Sequence, residues 1–237
     1  MMQRDTVVCS FWVHRPADFP NAPDYLQMLK ILDESVKRAG MYHVVLTDHA
    51  TAPKVQSELM MAQPFALPRN LLQATTEAQA QWLAWPGSAG VDSVFVGADC
   101  LVLRDFRPYL NASADFSAVH FEHKRLWFMN GFMHVPAHTR AQLAPLFREV
   151  ADDTHPMEAR SCDDMQAFQR AFGPKPEFPY GGPVTRRGLQ VQYLREEIWN
   201  GRPHRADEDF GASYVLHFRG PKQKPLFVEW ARHWGFA

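Results

Sequence analysis

The first fifty residues constrain the fold of this chain most, because they read as strand, helix, strand. Thr6-Val7-Val8-Cys9-Ser10-Phe11-Trp12-Val13 is a compact apolar run rich in strand formers, and it predicts a buried first strand. A turn-rich stretch with Pro16, Pro20 and Pro23 follows. Beyond it, Tyr25, Leu29, Leu32, Val36 and Ala39 recur every three or four positions and make one apolar stripe along a helix. Asp24 stands where an N-cap belongs, with Gln27 three residues on, and Gly40 is a natural stop. Tyr42 to Thr47 forms a second strand that ends at Asp48. Two apolar strands joined through a helix predict a parallel βαβ unit and an α/β fold class.

The rest of the chain continues the alternation. After a proline-punctuated loop, residues 70 to 85 predict a helix with Leu71, Leu72, Trp82 and Leu83 inward. A third strand, Ser93-Val94-Phe95-Val96, runs into Gly97-Ala98-Asp99-Cys100 and continues as Leu101-Val102-Leu103. Further strands are expected at 116 to 121 and 131 to 135. A helix over 139 to 151 would turn Leu143, Leu146, Phe147 and Val150 inward, and a short one spans 164 to 171. Residues 173 to 189, with Pro174, Pro176, Pro179 and Gly181-Gly182-Pro183, read as a long loop, a feature that is usually functional. Tyr214 to Phe218 makes a late strand. The tail, 226 to 237, is aromatic, with Phe227, Trp230, Trp234 and Phe236, and reads as an interface or membrane contact.

No repeat, low-complexity tract or clean boundary divides the 237 residues, so one domain over 1–237 is expected. A hydrophobic fraction of 46% supports a sizeable core. The formal net charge of −1 supplies no global positive field for nucleic acid or acidic membranes. Cys9, Cys100 and Cys162 are odd in number and far apart, matching neither a disulfide framework nor paired zinc spacing, and a reducing cytoplasm is the simplest home. Met1 to Asp5 lacks a signal peptide's apolar stretch, and no run approaches the roughly 18 apolar residues that span a bilayer.

Asp99 is the leading candidate for chemistry. Ligands bind beyond the carboxyl ends of strands in open α/β sheets. A carboxylate that interrupts an apolar run needs a partner, and a hard divalent cation is one. A strand-end Asp capping a turn would leave the same trace. The second candidate is His217-Phe218-Arg219-Gly220-Pro221-Lys222-Gln223-Lys224-Pro225, where a histidine leaves a strand, a glycine turns the chain and two lysines follow. Imidazole ligates metals and ammonium groups neutralise phosphate. A lone strand histidine is more often structural.

Four segments in order now carry a resemblance: Gly97-Ala98-Asp99 with Leu101-Val102; Phe128-Met129-Asn130-Gly131-Phe132-Met133; Asp163-Asp164-Met165; and His217 to Gly220 with Lys224-Pro225. Over residues 6 to 225 the chain resembles the retaining, family-8-type glycosyltransferases, the group that contains glycogenin and the bacterial lipopolysaccharide galactosyltransferases. That family carries Asp-x-Asp after an apolar strand and His-x-x-Gly-x-x-Lys-Pro near the C-terminus. Its central strand reads Phe-Asn-Ser-Gly-Val-Met, and a helix begins Asp-Gln-Asp. The resemblance implies a GT-A fold: a Rossmann-like mixed sheet flanked by helices, binding a nucleoside-diphosphate sugar, with UDP the commonest donor base. It also implies Mn²⁺ or Mg²⁺ on Asp99 and His217, and the distal phosphate on Lys222 or Lys224. The backbone around Cys9, Ser10 and Phe11 would cradle the nucleoside, and Ala98 and Gly220 would border the donor. Asp48 would join them or cap a turn, and Asp163 and Asp164 would face the acceptor or cap a helix. Three departures stand out. Gly97 replaces the first motif Asp, Asn130 sits one place late, and one extra residue precedes Lys224.

The acceptor is open between a glycan, a lipid-linked sugar, a protein and a modified nucleic acid, and oligomeric state is unread. His120-x-x-His123 and His134-x-x-x-His138 read as structural rather than as zinc sites. Trp127, Trp199, Trp230 and Trp234 read as packing, and Arg186-Arg187 with Arg202 and Arg205 as a solvated face. A sugar-phosphate nucleotidyltransferase would carry a Gly-rich loop after the first strand, whereas Val13-His14-Arg15-Pro16-Ala17-Asp18 has no glycine. A degenerate transferase fold that binds nucleotide sugars without turnover is the non-enzyme alternative, and Gly97 is its main support.

Overall fold

The structure is a computed structural model that describes residues 5–15, 23–122, 126–154, 163–205 and 208–236, with the side chains of Asp163, Pro221 and Lys222 outside the description. Strand β1 (Thr6–Phe11) lies inside the sheet because its residues are apolar enough to be covered on both faces. Parallel to it run β2 (Tyr42–Asp48) on one side and β4 (Asp92–Val96) on the other. Helix α1 (Tyr25–Arg38) connects β1 to β2. The Asp24 carboxylate caps it by accepting from the Gln27 N–H at 3.0 Å, and Gly40 ends it in the left-handed region at φ +74°.

Beyond β2, β3 (Met61–Phe65) forms the parallel edge. On the far side β7 (Phe128–Val135) pairs antiparallel with β4 and with β6 (Phe116–His120). Strand β9 (Leu189–Arg195) runs parallel to β6, and β8 (Val184–Arg186) closes the sheet. The order is β3-β2-β1-β4-β7-β6-β9-β8, an eight-stranded mixed sheet. One face packs against α3 (Leu71–Ala84), α4 (Arg140–Asp153) and α5 (Asp163–Phe172) through Cys9, Leu46, Phe95, Phe116, Phe128, Phe147 and Phe168. The other face carries α1 and a small antiparallel sheet of β5 (Cys100–Val102) and β10 (Val215–His217). Helix α7 (Gly220–His233) packs outside that small sheet. Short helices α2 (Ala52–Gln56) and α6 (Glu196–Trp199) complete the fold. Among the described residues, no helix is long and apolar enough to cross a membrane.

Four expectations are corrected. The third strand does not continue past Val96, because the chain turns through Gly97-Ala98-Asp99 and β5 joins the small sheet instead. The proline-punctuated loop holds α2 and β3, and β3 tolerates Pro64 as an edge strand, where one N–H pairs with nothing. The long loop ends in the β8–β9 hairpin, whose turn residues Arg187 and Gly188 both have positive φ. The aromatic tail is mostly helix α7, and Phe227 and Trp230 are fully buried against β10 and α1 rather than offered to a partner. Trp234 and Phe236 stay partly exposed.

Candidate active site

The carboxyl ends of β1 and β4 point to the same edge of the sheet, and the strand order departs from them in opposite directions, to β2 beside β1 and to β7 beside β4. That crevice is where α/β sheets bind ligands. Here it holds a cavity of about 1060 Å³. The end of β1 supplies Phe11, Trp12, His14 and Arg15; the start of α1 supplies Tyr25; α2 supplies Lys54; and α3 supplies Leu71, Leu72 and Thr75. The end of β4 supplies Gly97, Ala98 and Asp99, with Asn130, Gly131 and His217 on the far wall.

Asp99 is buried and doubly paired. His217 Nε2 lies 3.2 Å from its Oδ1 and Lys224 Nζ 3.2 Å from its Oδ2. Burial pushes the carboxyl pKa upward, but the charges and hydrogen bonds of His217 and Lys224 outweigh burial and hold it well below the usual carboxylate range. Burial likewise pulls the Lys224 ammonium down. Asp99 and the Tyr25 hydroxyl more than offset this, so its pKa is raised. Lys224 donates to Tyr25 Oη and sits 4.3 Å from the centre of its ring. On the other side of His217, Nδ1 lies 3.0 Å from Asn200 Oδ1.

Two glycines leave room for this arrangement. A Cβ on Gly97 would stand 2.6 Å from Asp99 Oδ1 and 3.3 Å from His217 Nε2, so any side chain there would enter the cluster. A Cβ on Gly131 would stand 2.4 Å from Asn200 Oδ1 and 2.5 Å from His217 Nδ1. Gly131 lies in a bulge. Pairing of β6 with β7 jumps from Ala118↔Met133 to Val119↔Met129, which leaves Asn130, Gly131 and Phe132 without partners on β6. The bulge turns Asn130 into the cavity while Met129 stays buried. Asn130, one place late against the family pattern, is therefore the polar group that the strand presents.

Other expected site residues lie elsewhere. Cys9 packs into the core beneath α3 and α4, and Ser10 Oγ lies 2.9 Å from His43 Nε2 inside the protein, so β1 reaches the cavity only from Phe11 onward. Asp48 accepts from the Thr51 N–H at 2.8 Å and faces Arg15 at 3.7 Å, a turn cap behind a cavity residue. Asp164 is buried and accepts from the Asn130 amide and the Met165 N–H, so it steadies Asn130 rather than facing the cavity itself. Gly220 opens α7 with φ +68°, and its role is the turn that brings Lys224 back to Asp99. The side chains of Asp163 and Lys222 fall outside the described residues. Arg15, Lys54 and Tyr25 were not singled out as site residues from sequence; only Arg15 carried a signal, the polar loop directly after an apolar strand, while Tyr25 and Lys54 sit on helices α1 and α2.

The remaining motifs lie against other groups of the chain. His120 Nδ1 lies 3.1 Å from the Tyr180 hydroxyl, and His123 is outside the described residues. His134 and His138 approach different carboxylates, Asp92 and Asp115. Trp127 and Trp199 are buried in the core. Arg187 pairs with Glu149 and Arg202 with Glu196. Cys9 and Cys100 carry free, buried thiols.

No family model matches the sequence, and no curated protein matches it. Solved structures do. The glycosyltransferase GlyE of Streptococcus pneumoniae TIGR4 aligns over 96% of this chain with 10% identity and a TM-score of 0.59, and this chain spans 60% of its length. The galactosyltransferase LgtC, solved with donor and acceptor sugar analogues, aligns over 96% of this chain and 95% of its own, with 12% identity and a TM-score of 0.53. A glycosyltransferase involved in glycosylation of the major capsid of PBCV-1 aligns over 98% and 99%, with 10% identity and a TM-score of 0.56. At this identity the likeness is one of architecture: the mixed sheet and its flanking helices form a GT-A glycosyltransferase fold.

Proposed function

We propose that this GT-A chain is a glycosyltransferase that binds a nucleoside-diphosphate sugar, UDP-linked by the sequence resemblance, in the cavity at the ends of β1 and β4. One observation carries the reading: Asp99, His217 and Lys224 converge at that crevice, in a cavity that Arg15 and Lys54 also line. Transfer breaks the bond between the sugar's anomeric carbon and the diphosphate, which leaves with the bonding pair. An acceptor hydroxyl oxygen takes the carbon, and its proton passes to the departing diphosphate. Fixed cations placed where that charge develops lower the barrier. Asn130, held by Asp164, is placed to orient the sugar or the acceptor from the wall opposite β1. Retention of configuration rests on the sequence resemblance alone, and the acceptor stays open among glycan, lipid-linked sugar, protein and modified nucleic acid.

The resemblance also calls for Mn²⁺ or Mg²⁺. Asp99, Cys100 and His217 bring three ligand-type atoms within 4.8 Å of one another. Hard divalent ions favour oxygen ligands. Within this group Asp99 supplies the carboxylate, Cys100 is a buried thiol whose pKa burial raises, and Gly97 offers no second carboxylate. This donor set does not fit a hard ion.

Binding is tested by thermal unfolding with UDP, ADP, GDP, CDP and dTDP against their parent nucleosides. Ligand linkage raises Tm by about 2–4 °C per kcal/mol of stabilisation in a chain of this size. At least one diphosphate should raise Tm while its nucleoside does not, and Arg15→Ala with Lys54→Ala should shrink the difference. Equal shifts from nucleoside and diphosphate would mean that the cations do not read phosphate. Gly97 favours a second reading, in which the chain binds nucleotide sugars without turning them over; that reading predicts the same shifts with no product.

A further inference from the structure

We propose that the charge on the departing diphosphate is met in this chain by the Lys224 ammonium held on Asp99, and that nucleotide binding needs no divalent metal. The inference rests on the reading of the cavity as a nucleoside-diphosphate sugar site and names the cation that serves it.

Three observations carry it. Lys224 is fixed rather than free: Asp99 Oδ2 lies 3.2 Å from its Nζ, the Tyr25 hydroxyl accepts from it, and the Tyr25 ring lies beneath it at 4.3 Å. Asp99 and Tyr25 both line the cavity, and the ammonium is held directly behind them by contact with each. Second, both carboxylate oxygens of Asp99 are engaged, Oδ1 by His217 Nε2 at 3.2 Å and Oδ2 by Lys224. A dication on Asp99 would have to displace the lysine or sit beside its like charge, which is repulsive at such short range. Third, position 97 is where a second carboxylate would point into the cluster. A Cβ built there lies 2.6 Å from Asp99 Oδ1 and 3.3 Å from His217 Nε2, and glycine places no charge in that space. One carboxylate balances one ammonium; two would be needed to draw a dication in its place. The substitution at 97 and the lysine on Asp99 are thus two parts of one exchange, a mobile metal for a tethered cation.

The test is a calorimetric titration of the five nucleoside diphosphates, once in EDTA and once in Mn²⁺, on wild type and Lys224→Ala, with Lys224→Gln as the variant that keeps more of the side chain's packing. The best ligand should bind wild type equally in both buffers. Lys224→Ala or Lys224→Gln should weaken it by about tenfold to a hundredfold, the value of a hydrogen bond to a charged group, with no rescue by Mn²⁺. Titration of Mn²⁺ alone should give no binding to wild type, whereas Gly97→Asp should acquire it. Wild-type binding that EDTA abolishes and Mn²⁺ restores would overturn the inference and leave the nucleotide site standing. Absence of binding to all five diphosphates in both buffers would overturn the site and the inference together.

Discussion

Replacing Arg140 with methionine is expected to cost about 2–5 kcal/mol of folding stability, because each buried acceptor left without its donor costs about 1–3 kcal/mol. Arg140 is buried, at 5% exposure, and faces no carboxylate in its hydrogen bonding. Its Nη2 donates to the carbonyls of Trp82 and Leu83, each at 2.8 Å, and the guanidinium also donates to the carbonyl and hydroxyl of Ser88. The last carbonyls of a helix have no partner within it and carry the negative end of its dipole. Arg140, from the first turn of α4, thus closes the end of α3 and the turn that leads into β4. Methionine fills a similar volume but takes the donor from the Leu83 and Ser88 carbonyls, while the Trp82 carbonyl keeps only the Ser88 hydroxyl and the Trp85 N–H. Lysine keeps the charge without the fork, and Arg140→Lys should fall between the two. Urea unfolding gives the answer directly. A loss below about 1 kcal/mol would mean that water reaches these carbonyls and that the guanidinium is dispensable.

The second large effect lies at the site. Gly131→Ala should lower sugar transfer by about a hundredfold, because a displacement near 1 Å in a catalytic arrangement costs that much. Its Cβ would collide with Asn200 Oδ1 and His217 Nδ1, at 2.4 and 2.5 Å, so the histidine must move off Asp99 or the bulge must open. Overpacking of this kind also costs about 1–3 kcal/mol of stability, so circular dichroism at the assay temperature must show the variant folded. Steady-state release of nucleoside diphosphate measures the loss. An alanine variant that works within a few-fold of wild type would show that the position of His217 is not needed.

What the sequence disclosed follows from range. The βαβ opening was legible because its signals are local: an apolar run, a 3.6-residue stripe, Asp24 as cap and Gly40 as stop. Asp99 was legible because a carboxylate inside an apolar run demands an explanation. The strand alternation that places Cys9 in the core and Ser10 on His43 was equally local, and it shows why neither side chain reaches a cavity that begins where the strand ends. Other features were invisible because they depend on partners far along the chain. Residues Leu101 to Leu103 read as a continuation of β4, and nothing local says that Cys100 to Val102 pair with Val215 to His217. The β6–β7 bulge that aims Asn130 is a property of two strands together. Arg140 finds its acceptors more than fifty residues away. The choice between Lys222 and Lys224 was open because it depends on the turn from Gly220 into α7; Lys224 lies on Asp99, and the side chain of Lys222 is outside the described residues.

The central claim is that this cavity supports glycosyl transfer, and the most direct measurement is release of nucleoside diphosphate from a panel of nucleotide sugars, with water as the minimal acceptor, by wild type and Lys224→Ala. The account predicts release from at least one donor by wild type and a fall of about a hundredfold to a thousandfold in the variant, the effect of removing one stabilising group from developing charge. Release that is unchanged in Lys224→Ala, or no release from any donor that binds, would contradict it.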